Sequence, residues 1–136
     1  LSVKLVNNPN PENGMLSSLR VGLGLVEPKT DAFMVVLGDQ PSLQTSLVDG
    51  LITEWDSESR SILRPRFENA NGHPLIVPAE FIERVLGHYD DVGLKGLLRE
   101  YPDRVRAWNV SDEGVVRDID TPADYQREID RLGLDS

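Results

Sequence analysis

A layered α/β fold with a largely parallel sheet is what this chain predicts, and three features of its 136 residues carry that expectation. The run Phe33-Met34-Val35-Val36-Leu37 is apolar without interruption, as in strands buried on both faces of a parallel sheet. Strand-like and helix-like segments alternate along the chain, the pattern of units that stack helices on a sheet. The length suits one domain with a sizeable core and is too short for two.

Each element has its own signal. Leu1-Ser2-Val3-Lys4-Leu5-Val6 reads as an opening strand with no lead-in, as though the chain were entered partway through a domain. Asn7 to Gly14 is dense in Asn and Pro and predicts a loop. Leu16, Leu19 and Leu23 then fall on one face of a helix. The apolar strand at 32–37 follows. After it, Leu47, Val48, Leu51, Ile52 and Trp55 fall at helical spacing, with Ser42 as the expected cap. Asp56 to Arg60 predicts a polar turn, and Ser61 to Arg64 a short strand. Leu75-Ile76-Val77 predicts another strand. Pro78 suits the first turn of a helix carrying Phe81, Ile82, Val85 and Leu86. Leu94, Leu97 and Leu98 predict a helix that stops at Pro102. Val105 to Val110 reads as a strand, and Ser111-Asp112-Glu113-Gly114 as a hairpin-like turn before Val115-Val116. Thr121 as cap and Pro122 at the first helical position open a last helix, with Tyr125, Ile129 and Leu132 on its buried face.

Composition removes several function classes. A hydrophobic fraction of 39% and a charged fraction of 27% are those of a globular protein, and no apolar run is long enough to span a membrane. With no cysteine, disulfides, thiolate metal sites and cysteine nucleophiles are excluded, which fits a cytoplasmic protein. The net charge of −9 repels a phosphate backbone, so nucleic acid is not an expected partner. A nucleotide stays in play because a metal ion supplies positive charge.

Four groups of residues are chemically suggestive. Gly38-Asp39-Gln40-Pro41 ends the buried strand, and in open α/β sheets ligands sit beyond the carboxyl ends of strands. Asp39 there either grips a hard cation such as Mg²⁺, itself holding phosphate oxygens, or satisfies backbone donors in a turn. Asp118 and Asp120 precede a helix start. They either complement its dipole or join Asp39 from a distant segment as metal ligands. Gly14 permits close backbone approach at the start of the first helix, where first-turn amides, Ser17 and Ser18 either face a ligand or satisfy the backbone. His73, between Gly72 and Pro74, has the context of a turn residue more than of a base. His88 looks like a solvated helix end. No Walker A loop, Gly-x-Ser-x-Gly elbow or zinc-spaced His cluster occurs.

Taken in order, several stretches resemble the MobA-like nucleotidyltransferases, particularly the molybdenum-cofactor cytidylyltransferase branch. They are Asn8-Pro9, Gly14-Met15-Leu16-Ser17-Ser18-Leu19-Arg20-Val21-Gly22-Leu23, Val36-Leu37-Gly38-Asp39-Gln40-Pro41, Gly72-His73-Pro74-Leu75-Ile76, Asp91-Val92-Gly93-Leu94-Lys95, and Asp118-Ile119-Asp120-Thr121-Pro122-Ala123-Asp124-Tyr125. The resemblance implies a Rossmann-like three-layer sandwich with a mostly parallel sheet, as in nucleotide-diphospho-sugar transferases. It implies transfer of CMP or GMP from CTP or GTP to a phosphorylated pterin acceptor such as molybdopterin, with release of pyrophosphate. Asp39 would hold Mg²⁺, and Asp120 would be the second metal-side ligand, with Asp118 as its substitute. Gly14, Ser17, Ser18 and Gly38 would lie on the nucleotide side, Ser18 near the base, and His73 on the acceptor side.

The family also opens with a strand and a Gly-rich loop that hold the triphosphate, and nothing in this sequence matches them. The expectation is therefore a single unit over residues 1–136, the C-terminal portion of a MobA-like domain. The strand at 33–37 would lack its neighbour, leaving an apolar edge that invites self-association into a homo-oligomer. Two other readings of these residues are a non-catalytic pterin- or nucleotide-binding remnant and a sugar-nucleotide or 2-phospholactate transferase of related fold.

Overall fold

The computed structural model describes residues 3–38, 43–56, 58–116 and 126. Among these residues, five strands form one sheet: β1 (Ala32–Val35), β2 (Ile62–Phe67), β3 (Ala70–Asn71), β4 (Leu75–Pro78) and β5 (Val105–Val110). Among the described residues, the α-helices that accompany it are α1 (Met15–Leu23), α2 (Thr45–Glu54), α3 (Ile82–Gly87) and α4 (Lys95–Glu100). No helix among the described residues is long and apolar enough to cross a membrane.

The α/β class is the one expected, and the sheet is buried on both faces. Along β4, Leu75 and Val77 enter one core with Ile62, Val35 and residues of α1, α3 and α4, while Ile76 enters the other with Leu63 and Leu47 and Leu51 of α2. Side chains alternate across a strand, so a strand covered on both faces must be apolar at consecutive positions. All four residues of β4 are buried accordingly. Helices on both faces make a three-layer arrangement.

The pairing is less parallel than expected. β2 and β5 are parallel, whereas β1 pairs β4, β4 pairs β2 and β3 pairs β2 antiparallel. Two antiparallel steps nevertheless return β1 to the direction of β2 and β5. Three strands thus point their carboxyl ends at the same rim, and β4 is an inserted strand running against them.

Pro65 explains a second departure. The short strand expected to stop at Arg64 runs through Pro65 to Phe67. Leu63 faces Ile76 but Arg66 faces Asn71, so the partner chain carries two extra residues between these contacts. The Pro65 carbonyl accepts from the Gly72 N–H at 3.0 Å, on the same side that its missing N–H would face. With no donor to offer there, the ladder opens and Gly72-His73-Pro74 bulges out. The His73–Pro74 peptide is cis.

Elsewhere the structure corrects single elements. Residues 3–6 are irregular and exposed, not a strand, because no ladder partner lies beside them among the described residues. Val115 and Val116 belong to a 3-10 turn, Glu113–Val116, instead of a hairpin arm; Val115 is buried against Leu63 and Ile76. The helix expected at Pro78 begins as a 3-10 turn, Ala79–Phe81, before α3. Ser42 lies outside the described residues, as does nearly all of the expected last helix, of which Gln126 alone is described and is helical.

Candidate functional site

Of the predicted residues that are described, Ser18, Gly38 and His73 line grooves near the rim reached by β1, β2 and β5. Val35 pairs with Leu75, two residues from His73, and the His73 N–H donates to the Val115 carbonyl at 2.9 Å. Gly72 sits against the same segment: a Cβ there would fall 2.1 Å from the Val115 oxygen, so only glycine fits. The chain therefore leaves one neighbourhood toward Asp39, four residues beyond Val35, and toward Asp118, three beyond Val115. Asp39, Asp118 and Asp120 themselves lie outside the described residues.

Gly14 opens α1 with φ +91°, a conformation that side chains with a Cβ rarely adopt. It supplies no side-chain cap, and none replaces it. Ser17 is engaged within the chain. Its Oγ accepts from Asn8 Nδ2 at 2.9 Å, and its hydrogen has Asn8 Oδ1 and the Asn10 carbonyl as acceptors, each at 3.2 Å. Asn8 Nδ2 also reaches Ser18 Oγ at 3.0 Å. Ser18 stays exposed and lines a groove of about 460 Å³ that runs past Gly22 and Val35 to Gly38. Of the two serines, Ser18 faces open space and Ser17 braces the loop.

A second cleft of about 550 Å³ adjoins this groove, with Met15 lining both. His73, half-buried, lines it together with Gly72 and Leu75 from the bulge. Opposite lie Leu94, Lys95, Leu98 and Arg99 from α4 and the turn before it, and Arg64 comes from β2. The volume is that of a small-molecule site. Among the described residues, no carboxylate lines it.

Sequence reasoning quoted Lys95 within a motif but gave no role to Arg64, Lys95 or Arg99. The signal was available only in part. Lys95 and Arg99 share a helical face at i, i+4 spacing, but Arg64 joins them from a segment some thirty residues away in sequence. Arg64 Nε is buried without a hydrogen-bond partner. Burial, and behind it the charge of Arg66, depresses the guanidinium pKa from its ordinary value.

The turn carrying Lys95 is braced from two directions. Arg20 of α1 donates to the carbonyls of Val85 at 3.0 Å and His88 at 2.7 Å, and pairs with Asp90 at 2.6 Å. Arg84 donates to Tyr89 Oη at 3.3 Å and pairs with Glu100 at 2.5 Å. His88 ends α3 exposed, as expected, its carbonyl serving as one of these acceptors.

Among the described residues, no group of three or more His, Asp or Glu is gathered as a metal site. No protein of curated function matches the chain. Solved structures that resemble it include three that are each 28% identical: Rv0371c from Mycobacterium tuberculosis H37Rv (TM-score 0.73, covering 85% of this chain), a homolog of it from Mycobacterium sp. strain JC1 (0.69, 87%) and Rv0371c in complex with manganese (0.67, 83%). This chain spans 59% of the length of each. The model of the MobA-like NTP transferase domain matches residues 1–105, and the chain belongs to that family.

Proposed function

We propose that this chain carries the metal and acceptor side of a nucleotidyltransferase that moves CMP or GMP from CTP or GTP to a phosphorylated acceptor such as molybdopterin, releasing pyrophosphate. One observation supports it above the others. β1 runs toward Asp39, and the turn after β5 runs toward Asp118–Asp120, beside the rim where His73 lines a cleft of ligand size.

The assigned roles follow from the chemistry of the groups. Asp39 and Asp120 are hard oxygen donors suited to Mg²⁺ or Mn²⁺, and the manganese complex of the similar Rv0371c supports a divalent ion here. Such an ion, when bound, neutralises charge on the transferred phosphate. The chain's own residues then bind and orient. Ser18 borders the groove assigned to the nucleotide, which ends at Gly38, and Gly14 precedes Met15, which lines it. His73 lies on the acceptor side, in the adjoining cleft. Phosphoryl-type transfer needs alignment and charge stabilisation more than covalent help, so no side chain is required as nucleophile.

The test is turnover of the full-length protein with CTP or GTP, a divalent ion and a phosphorylated pterin. Asp39→Ala lowers turnover on the order of 10² to 10³. Wild-type rates in that variant overturn the metal assignment. Triphosphate binding without any transfer in the wild-type protein favours a non-catalytic binding module instead.

A further inference from the structure

We infer that Arg64, Lys95 and Arg99 form a phosphate-binding subsite specific for a phosphomonoester whose organic body is apolar or aromatic. Assigning that phosphate to the acceptor rests on the transferase reading above; the subsite itself does not.

The argument begins with where this protein leaves its cations. The chain holds 23 acidic and 14 basic residues, so carboxylate partners are plentiful. Lys4, Arg20, Arg60, Arg84, Arg104 and Arg106 each take one. Arg64, Lys95 and Arg99 take none among the described residues, and all three line one cleft that no described carboxylate enters. Outside the cleft, the exposed Lys29 is also unpaired among the described residues, and so is Arg66. It lines an adjacent hollow of about 280 Å³ that shares Arg64, Asn71 and Leu98 with the cleft.

Two of these side chains are exposed, and solvent alone accounts for them. Arg64 is different. It sits on the central strand, half-buried, with Nε cut off from any partner and a second guanidinium two residues away. Concentrating unpaired cations against an apolar floor is unfavourable for the free protein. A multiply charged anion in the cleft removes that cost. Guanidinium forks match phosphate oxygens geometrically, and an ammonium adds a point charge.

The floor defines the rest of the ligand. Met15, Leu75, Val92, Leu94 and Leu98 offer carbon surface beside the cations. Free phosphate leaves that surface uncovered, whereas an aromatic or aliphatic phosphomonoester covers it. A pyrophosphate or a nucleotide's phosphate chain would use the cations but gain nothing from the floor.

Isothermal titration of this chain with phenyl phosphate, inorganic phosphate and pyrophosphate tests the inference. Phenyl phosphate saturates one site and binds more tightly than either inorganic anion. Arg64→Gln and Arg99→Gln each weaken it on the order of tenfold. Arg99 is exposed, so its variant keeps the fold even if Arg64→Gln does not. Three results overturn the inference: no saturable binding, unchanged affinity in Arg99→Gln, or pyrophosphate binding more tightly than phenyl phosphate. The last of these reassigns the cations to the nucleotide's phosphates. Phenyl phosphate binding that persists in a protein without transferase activity refutes the proposed function and leaves the subsite standing.

Discussion

Single residues at this site act mainly by what they cannot do. Pro65 cannot donate, so the ladder opens and Gly72 and His73 are freed to line the cleft. Gly72 cannot clash, so the strand presses against Val115. Glu100 gives a pH-dependent example. Partial desolvation pushes its carboxyl up, but hydrogen bonds from Tyr101 and Arg84, together with the Arg84 charge, outweigh this and hold it below the ordinary value of 4.5. A depressed carboxylate favours the folded state above its unfolded pKa and loses that contribution as pH falls through the folded one. Denaturation of wild type and Glu100→Gln should therefore differ at neutral pH and converge below 4.5. A difference that persists unchanged in acid would show that the Arg84–Glu100 pair contributes nothing through its charge.

At the scale of elements, helix ends and turns fix the cleft's far wall. α3 and α4 have six residues each, too few to persist alone, so their placement comes from packing and from bracing side chains. Arg20 does this for α3, reaching from α1 to the carbonyls that close its last turn, where a cation also complements the helix dipole. Its ion pair with exposed Asp90 adds little, so the two carbonyl bonds carry most of the effect. Arg20→Ala is expected to lower unfolding free energy by about 1–3 kcal/mol, read from the midpoint of a urea transition. Arg20→Lys should fail to restore it, because one ammonium lacks the fork that reaches two carbonyls. Full recovery by lysine would reduce the role to charge alone.

Over the whole molecule, the outer edge of β1 stands out. β1 pairs only β4 among the described residues, and Val36 and Ile52 are exposed beside grooves of about 460 and 420 Å³ on its two faces. An apolar edge with unpaired backbone groups is a template for another strand. Sedimentation velocity should show this chain associating as its concentration rises. Val36→Lys should shift it toward monomer without loss of fold. A monomer at all concentrations would argue that the edge is protected.

The sequence by itself was sufficient for the layered α/β class, for α1, α2 and the helix at 95–100, and for the strands at 32–35, 75–78 and 105–110. Those elements announce themselves through local periodicity and apolar runs, which need no knowledge of neighbours. It also drew attention to Ser18, Gly38 and His73, which the structure brings to adjoining grooves. Tertiary structure decided the rest. Whether β4 ran with or against its neighbours, whether residues 3–6 found a ladder, and which cations met at the cleft all depend on contacts between distant segments. Arg64 is the clearest case: in sequence it is one more surface-type residue, and only the packing of β2 beneath α4 leaves its charge facing a cavity without a partner.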